Sequence, residues 1–103
     1  MTWRVTITNK ASRRARQLSE DALSALHLLW QELQENGPIQ PSWPHFGKLK
    51  GRQNEFHCHL NRGRPTYVVC WRIQKYTLDE RKLTNEDGEI EIFYAWTHEK
   101  APY

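Results

Sequence analysis

The chain has 103 residues, which is enough for one hydrophobic core, and we predict that residues 1–103 form a single domain. Aromatic residues make up 12% of the sequence and charged residues 26%, which is too aromatic for a disordered chain and too polar for an integral membrane protein. No stretch approaches the roughly 18 apolar residues of a membrane span, and the first ten residues lack the apolar run of a secretion signal. We therefore predict a cytoplasmic protein that does not contact the membrane.

The formal net charge of +3 hides an uneven distribution of charged residues. Between Lys48 and Arg72 there are six cations and a single acid, Glu55. A basic segment of this kind favours a polyanionic partner, although a solvated surface can have the same composition.

The first third of the chain predicts a strand followed by two helices. Residues 3–7 alternate between apolar and polar side chains, as in a strand buried on one face, and Asn9 ends that strand as a candidate cap. From Ala11 onward, apolar residues recur every three or four positions. This spacing predicts a short helix and then a longer one, which Ser19 caps and residues 36–38 end.

The remainder predicts a loop and three strands. Residues 37–47 contain three prolines and therefore form a crossing loop, pinned to the core by Trp43 and Phe46. A polar segment, residues 74–88, separates the last two strands. The strands themselves are predicted at residues 55–60, 66–73 and 89–97. The predicted fold class is α+β, in the order β-α-α-β-β-β, with both helices on one face of an antiparallel sheet and the other face open.

Two histidines of the first hairpin strand should lie on the open sheet face. His57 and His59 alternate with apolar residues, and side chains along a strand point to opposite faces in turn. If the following turn closes on four residues, Arg72 joins the histidines while Trp71 faces the core. The turn alone leaves this register open.

The His-x-His pair has two alternative interpretations, a zinc site or two merely solvated histidines. Cys58 faces away from the histidines, and the chain has no Cys-x-x-Cys pair, so we predict no metal and no cofactor. Two cysteines in a chain without a secretion signal are more often reduced than bridged. We therefore expect Cys58 and Cys70 to be reduced core residues.

Metal-free RNA chemistry fits the residue types of this half of the chain. RNA can be cleaved through its own 2′-hydroxyl group if a base removes that proton, cations stabilise the phosphorane and an acid protonates the leaving oxygen. Lysine, arginine, histidine and tyrosine can supply all three functions. Glu89 and Glu91 share a strand face but lie far in sequence from the basic cluster, which argues against a two-metal nuclease.

Three motifs resemble those of the RelE/HigB branch of the RelE/ParE toxin superfamily. They are K-L-K-G at residues 48–51, the hairpin segment at residues 55–73 and the closing strand with its tail at residues 90–103. Their order and spacing are more specific than any one motif, and the preceding strand and helices match the usual order of the family. The resemblance implies a ribosome-dependent endoribonuclease that cuts mRNA, inhibits translation and is neutralised by a cognate antitoxin.

The resemblance also implies roles for single residues. Lys48 and Lys50 match the basic pair that contacts the scissile phosphate in the family, and the hairpin arginine corresponds to Arg62 or Arg64. We therefore hypothesise that the catalytic residues are Lys48, Lys50, Arg64, His98 and Tyr103. The hypothesised RNA-binding residues are Arg52, His57, His59, Arg62, Arg72 and Lys100.

The tail departs from the family pattern at one position. HigB-like members carry a tyrosine three residues after the histidine that His98 matches, and here Ala101 occupies that position. Tyr103 follows two residues later, and Tyr94 is an alternative residue for stacking on a base.

Two other functions remain open from the sequence. A ParE-like toxin shares the fold but inhibits DNA gyrase without nuclease chemistry, and the histidine-rich strand and the Lys-x-Lys pair favour the nuclease. The second alternative is a non-catalytic module that binds RNA or an antitoxin. The partners implied by the nuclease interpretation are mRNA, the ribosome and the antitoxin.

Overall fold

A computed structural model describes residues 2–76 and 86–103. The polar segment predicted at residues 74–88 is partly strand, and its central residues 77–85 lie outside the described part of the chain. In chain order the elements are β1 (Thr2–Ile7), α1 (Asn9–Ala15), α2 (Glu20–Asn36), β2 (Gly47–Lys48), β3 (Glu55–His59), β4 (Tyr67–Tyr76), β5 (Glu86–Thr97) and a 3-10 turn (His98–Lys100).

The strands form a five-stranded mixed sheet in the order β1-β5-β4-β3-β2. The α+β class and the predicted helix and hairpin order are confirmed, and β3, β4 and β5 are antiparallel neighbours as expected. The N-terminal strand β1 joins the edge of these three antiparallel strands and runs parallel to β5. A helical crossover allows either strand direction, so the alternation of a lone edge strand cannot reveal it. The two-residue strand β2, formed by the start of the K-L-K-G segment, was also not predicted.

Each helix begins at a hydroxyl cap. The Ser19 hydroxyl accepts a hydrogen bond from the backbone N–H of Ala22 at 3.2 Å, which confirms the predicted cap of α2. In α1 the cap is Thr8, whose hydroxyl accepts from the Ala11 N–H at 3.1 Å, and Asn9 is already the first helical residue. These caps satisfy N–H groups that the first helical turn leaves without partners.

Replacing Ser19 by alanine should lower the free energy of unfolding by about 1 kcal/mol, because the capping bond is lost. The matched control is Ser24→Ala, at an exposed position within the same helix, where alanine should be neutral or slightly stabilising. Urea denaturation measures both variants. Equal destabilisation of the two would contradict the capping role.

The core lies between the helices and one face of the sheet. Leu29 and Leu33 of α2 are fully buried there, as is Trp71 of β4. The Trp71 indole N–H donates to the Pro38 carbonyl at 3.0 Å, and the ring of Phe46 stacks on that of Trp71 with centroids 6.0 Å apart. The crossing loop is therefore attached to the core.

Trp43 adds a second attachment for the same loop. Its indole N–H donates to the carboxylate of Glu32 on α2, and its ring packs against the core. Both predicted anchors of the loop, Trp43 and Phe46, are confirmed.

The hairpin register places the histidines of β3 on the open face. Phe56 lies opposite Trp71, and His57 lies opposite Cys70. Because Trp71 is buried in the core, Arg72 projects on the same face as the histidines. The predicted facing of Trp71 and Arg72 is confirmed, but the turn is longer than the expected four residues, because six residues separate Leu60 from its partner Tyr67.

The two cysteines are free and buried, as predicted. Cys58 belongs to the core on the helix side of the sheet, whereas Cys70 lies on the open face and is nevertheless fully buried. Burial raises the pKa of the Cys70 thiol to about 12 and raises that of Cys58 further, so both thiols are uncharged at neutral pH.

Among the described residues, no helix has the length and apolar character needed to cross a membrane.

Candidate functional site

Four histidines from three parts of the chain form one cluster on the open face, here called the histidine cluster: His45, His57, His59 and His98. His57 and His59 project from β3, His45 comes from the crossing loop, and His98 begins the 3-10 turn. The ring centroid of His59 lies 4.2 Å from that of His45, 5.3 Å from that of His98 and 6.5 Å from that of His57. Within the described residues, no group of three or more histidine, cysteine or acidic side chains is arranged to hold a metal ion.

Backbone hydrogen bonds bring these segments together. The His59 N–H donates to the Pro44 carbonyl at 2.8 Å, which holds the crossing loop beside β3. The His98 N–H donates to the Thr66 carbonyl at 2.9 Å, which ties the 3-10 turn to the hairpin. His45 has φ = 56°, a left-handed conformation that is uncommon for residues other than glycine. Sequence reasoning missed His45, because a loop residue has no periodicity from which its direction can be predicted.

The C-terminal tail folds back onto the histidine cluster. The ring centroid of Tyr103 lies 4.4 Å from that of His57, and its ring meets His98 edge-on at 6.0 Å. Burial raises the pKa of the Tyr103 phenol to about 12, with the neighbouring Cys70 thiol acting in the same direction. The tyrosine is therefore protonated at neutral pH and can donate a hydrogen bond. The structure brings Tyr103 to the cluster despite its offset from the family pattern.

A cleft of about 400 Å³, here called the lysine cleft, lies beside the histidine cluster. Its walls include Lys48, Lys50 and Arg52, together with Tyr103. Leu49 between the lysines is buried, so both lysines point outward to solvent. Since Tyr103 lines the cleft and contacts His57 and His98 of the cluster, the predicted phosphate-binding lysines lie near the predicted acid-base groups.

The hairpin arginines lie on the other side of the histidine cluster. Arg62 lines a hollow with His45 and His59, and Arg64 lines another with His59 and His98. Both arginines are exposed. Arg64 is therefore the hairpin arginine that shares a hollow with His98.

Arg72 lies on the predicted face, but its guanidinium already forms ion pairs with two carboxylates. Its NH1 lies 3.7 Å from a Glu55 carboxylate oxygen, and its Nε lies 3.2 Å from a Glu91 oxygen without hydrogen-bond alignment. The guanidinium also stacks over the ring of Phe93 at 4.1 Å. Arg52 contacts the buried Glu55 as well, at 3.2 Å. Arg72, hypothesised to bind RNA, therefore belongs to an ion-pair network across the sheet.

Burial lowers the pKa of His59, and the positive charges that His45, His98 and His57 can carry act in the same direction. Burial also lowers the pKa of His57, with His45 and His98 adding to the effect. Both imidazoles are mainly neutral at pH 7, which suits them to stack on RNA bases or to accept protons.

The free energy of unfolding should fall as the pH decreases through 6.5, the ordinary histidine pKa. Because His57 and His59 have lower pKa values when folded, the unfolded chain binds more protons in that range, and protonation favours unfolding. Urea denaturation between about pH 8 and about pH 5.5 measures the trend. The variant with both His57→Asn and His59→Asn should show a flatter dependence, and an unchanged slope would contradict the assignment.

Helix α1 presents a second group of cations that sequence reasoning overlooked. Lys10, Arg13, Arg14 and Arg16 all fall within residues 10–16, and that stretch contains no acid. The density of positive charge in residues 10–16 is the feature from which this group could have been predicted. Lys100, hypothesised to bind RNA, does not line the lysine cleft but a neighbouring cleft, together with Lys10 and Arg14 of this helix.

No protein-family model matches the chain, and no curated protein matches its sequence. Solved structures do match its fold. The toxin RelE of E. coli, solved as a mutant in the free state, has a TM-score of 0.63 at 13% identity, over 94% of this chain and 84% of RelE. The YoeB dimer of Staphylococcus aureus has a TM-score of 0.65 at 14% identity, and the match covers 93% of this chain and 97% of YoeB. The archaeal RelE-RelB complex of Pyrococcus horikoshii OT3 has a TM-score of 0.67 at 18% identity, and the match covers 98% of this chain and 100% of the matched chain.

The chain therefore has the fold of the RelE toxins, as the three sequence motifs predicted.

Proposed function

We propose that this protein is a toxin of a toxin-antitoxin system, a single domain over residues 1–103 that cleaves mRNA on the ribosome and so inhibits translation. The observation that carries the proposal is the convergence on one open face of His98, Tyr103 and the two lysines Lys48 and Lys50. Acid-base groups next to phosphate-binding cations are what RNA transesterification needs. The RelE-type fold supports the same conclusion.

The proposed reaction is an attack of the 2′-oxygen on the adjacent phosphorus. The bond from phosphorus to the 5′-oxygen breaks, leaving a 2′,3′-cyclic phosphate on one product and a 5′-hydroxyl group on the other. His98 acts as the general acid or the general base of this step. Lys48, Lys50 and Arg64 stabilise the charge that develops on the phosphorane, and the Tyr103 phenol donates a hydrogen bond to it.

The remaining residues of the face bind the RNA strand. His57 and His59 are mainly neutral and offer ring faces on which bases stack. Arg52, Arg62 and Lys100 contact the phosphate backbone. No cofactor has a role in this mechanism.

The proposed protein partner is a cognate antitoxin that covers the basic face. The archaeal RelE of similar fold was solved in complex with RelB, which supports a partner of this kind. We place the protein in the cytoplasm, where mRNA and ribosomes occur.

The test is cleavage of mRNA on intact purified ribosomes in their usual Mg²⁺ buffer, by protein that has been stripped of metal with EDTA and then freed of the chelator. We expect cuts within translated codons, with a 2′,3′-cyclic phosphate at the new end, and arrest of growth when the protein is induced in cells. Growth arrest without any cleaved mRNA, combined with loss of DNA supercoiling by gyrase, would overturn the proposal in favour of a gyrase inhibitor. Absence of both effects would indicate a non-catalytic module.

A further inference from the structure

A second cleft, here called the helix cleft, lies between α1 and the end of β5. It has a volume of about 330 Å³, and Lys10 and Arg14 of α1 line one side. Tyr94, Trp96 and Lys100 line the other. Of the residues given a role above, Lys100 lines this cleft, and Lys10, Arg14, Tyr94 and Trp96 have none so far.

The helix cleft adjoins the lysine cleft. Phe93 and Pro102 line both of them, so the two share a wall. A strand bound over Lys48 and Lys50 can therefore continue past Pro102 toward α1 without leaving the basic surface.

The helix cleft attracts anions. Three cations line it, and no carboxylate is among its lining residues. Within residues 2–76 and 86–103, the ion pairs involve Arg4, Arg52 and Arg72, and none involves Lys10, Arg14 or Lys100. Their charges thus remain available to a bound polyanion.

The aromatic residues of the helix cleft are held in place. The Tyr94 hydroxyl donates to the Thr97 carbonyl at 2.5 Å, and the guanidinium of Arg14 lies 5.4 Å from the centroid of a Trp96 ring. Both aromatic side chains are only partly buried. Fixed aromatic rings that alternate with unpaired cations are the usual surface for single-stranded nucleic acid, since bases stack on the rings while cations contact the phosphates.

We propose that the helix cleft binds the single-stranded RNA that flanks the cleaved bond. Lys10, Arg14 and Lys100 contact its phosphates, and Tyr94 or Trp96 stacks on a base. The inference rests on the proposed function, since it takes the RNA substrate of the lysine cleft and extends its path. It predicts that the affinity for RNA depends on length.

The test compares two double variants of the same helix. Lys10→Ala with Arg14→Ala removes two cations of the helix cleft, whereas Arg13→Ala with Arg16→Ala removes two exposed cations outside it. Because the net charge changes equally, long-range electrostatics are matched. Fluorescence anisotropy measures the binding of a 2′-O-methyl RNA of about ten nucleotides, which the protein cannot cleave, and of a trinucleotide with the same modification.

We expect the Lys10/Arg14 variant to bind the longer RNA about tenfold more weakly than the Arg13/Arg16 variant does. The slope of log affinity against log salt should also become shallower, by about 0.7 for each phosphate that the protein no longer neutralises. The trinucleotide should bind both variants alike. Equal affinity of the two variants for the longer RNA would overturn the inference. It would also be overturned if the Lys10/Arg14 variant lost as much affinity for the trinucleotide as for the longer RNA. Competition by poly-glutamate as effective as that by RNA would overturn it too, in favour of an acidic protein segment.

Cleavage assays on the same proteins separate this inference from the proposed function. If the wild-type protein cleaves mRNA while the two variants bind alike, only the helix cleft assignment fails. If the wild-type protein never cleaves RNA but binds the longer strand through Lys10 and Arg14, the cleft assignment holds and the nuclease proposal fails.

Discussion

Replacing His98 by alanine should slow the cleavage of mRNA on ribosomes by about 10²- to 10⁴-fold, the range that general acid-base catalysis contributes. His98 is exposed at the start of the 3-10 turn, next to His59 and Tyr103. Its imidazole can reach a bound phosphate while its backbone N–H, which bonds to Thr66, stays in place. The fold should therefore survive the substitution.

The matched control is His27→Ala, an exposed histidine on α2 that lines a different hollow, with Trp30. It removes the same type of side chain, and the cleavage rate should not change. Single-turnover rates with saturating protein distinguish a chemical role of His98 from a binding role. If His98→Ala cleaves as fast as His27→Ala does, His98 is neither acid nor base, and the neighbouring His59 becomes the candidate.

Replacing Trp71 by alanine should lower the free energy of unfolding by about 3–5 kcal/mol. The Trp71 side chain is fully buried, and its ring stacks with those of Phe46 at 6.0 Å and Phe56 at 6.3 Å. The truncation leaves a cavity and also removes the hydrogen bond to the Pro38 carbonyl. Since the free energy of unfolding of small proteins is only about 5–15 kcal/mol, the substitution removes a large part of it.

Urea denaturation of Trp71→Ala and of the control Leu28→Ala measures this effect. Leu28 is 52% exposed on α2, so its truncation should change the free energy of unfolding by less than about 0.5 kcal/mol. Similar losses in the two variants would contradict the central position of Trp71. Because Trp71 anchors the loop that carries His45 and leads to Lys48, we also expect reduced cleavage at temperatures where the variant is still folded.

Local patterns in the sequence predicted the helices and strands, and they predicted which side chains lie on the buried and open faces of the sheet. The hydroxyl of Ser19 before a helical repeat predicted a cap, and the alternation around His57 and His59 predicted which sheet face they occupy. Both depend on interactions within a few residues, which is why they could be predicted without knowledge of the tertiary structure.

Features that depend on distant contacts could not be predicted in this way. The parallel direction of β1 follows from how the helices return the chain to the sheet, and the position of His45 follows from a hydrogen bond between the crossing loop and β3. The ion pairs of Arg72 require three strands to be in register. Alternation placed Arg72 on the correct face but could not show that Glu55 and Glu91 lie beside it.

The two cysteines lie on opposite sides of one sheet, with Cys58 beneath the helices and Cys70 beneath the face where Tyr103 and His57 meet. Neither thiol is accessible in the folded state, and both are protonated, so neither reacts with an alkylating reagent unless its own cover moves. The rate at which each thiol is alkylated therefore reports on a different local opening of the fold. Labelling of Cys58 measures detachment of the helices, and labelling of Cys70 measures how often the open face of the sheet is uncovered, with no probe added to the chain.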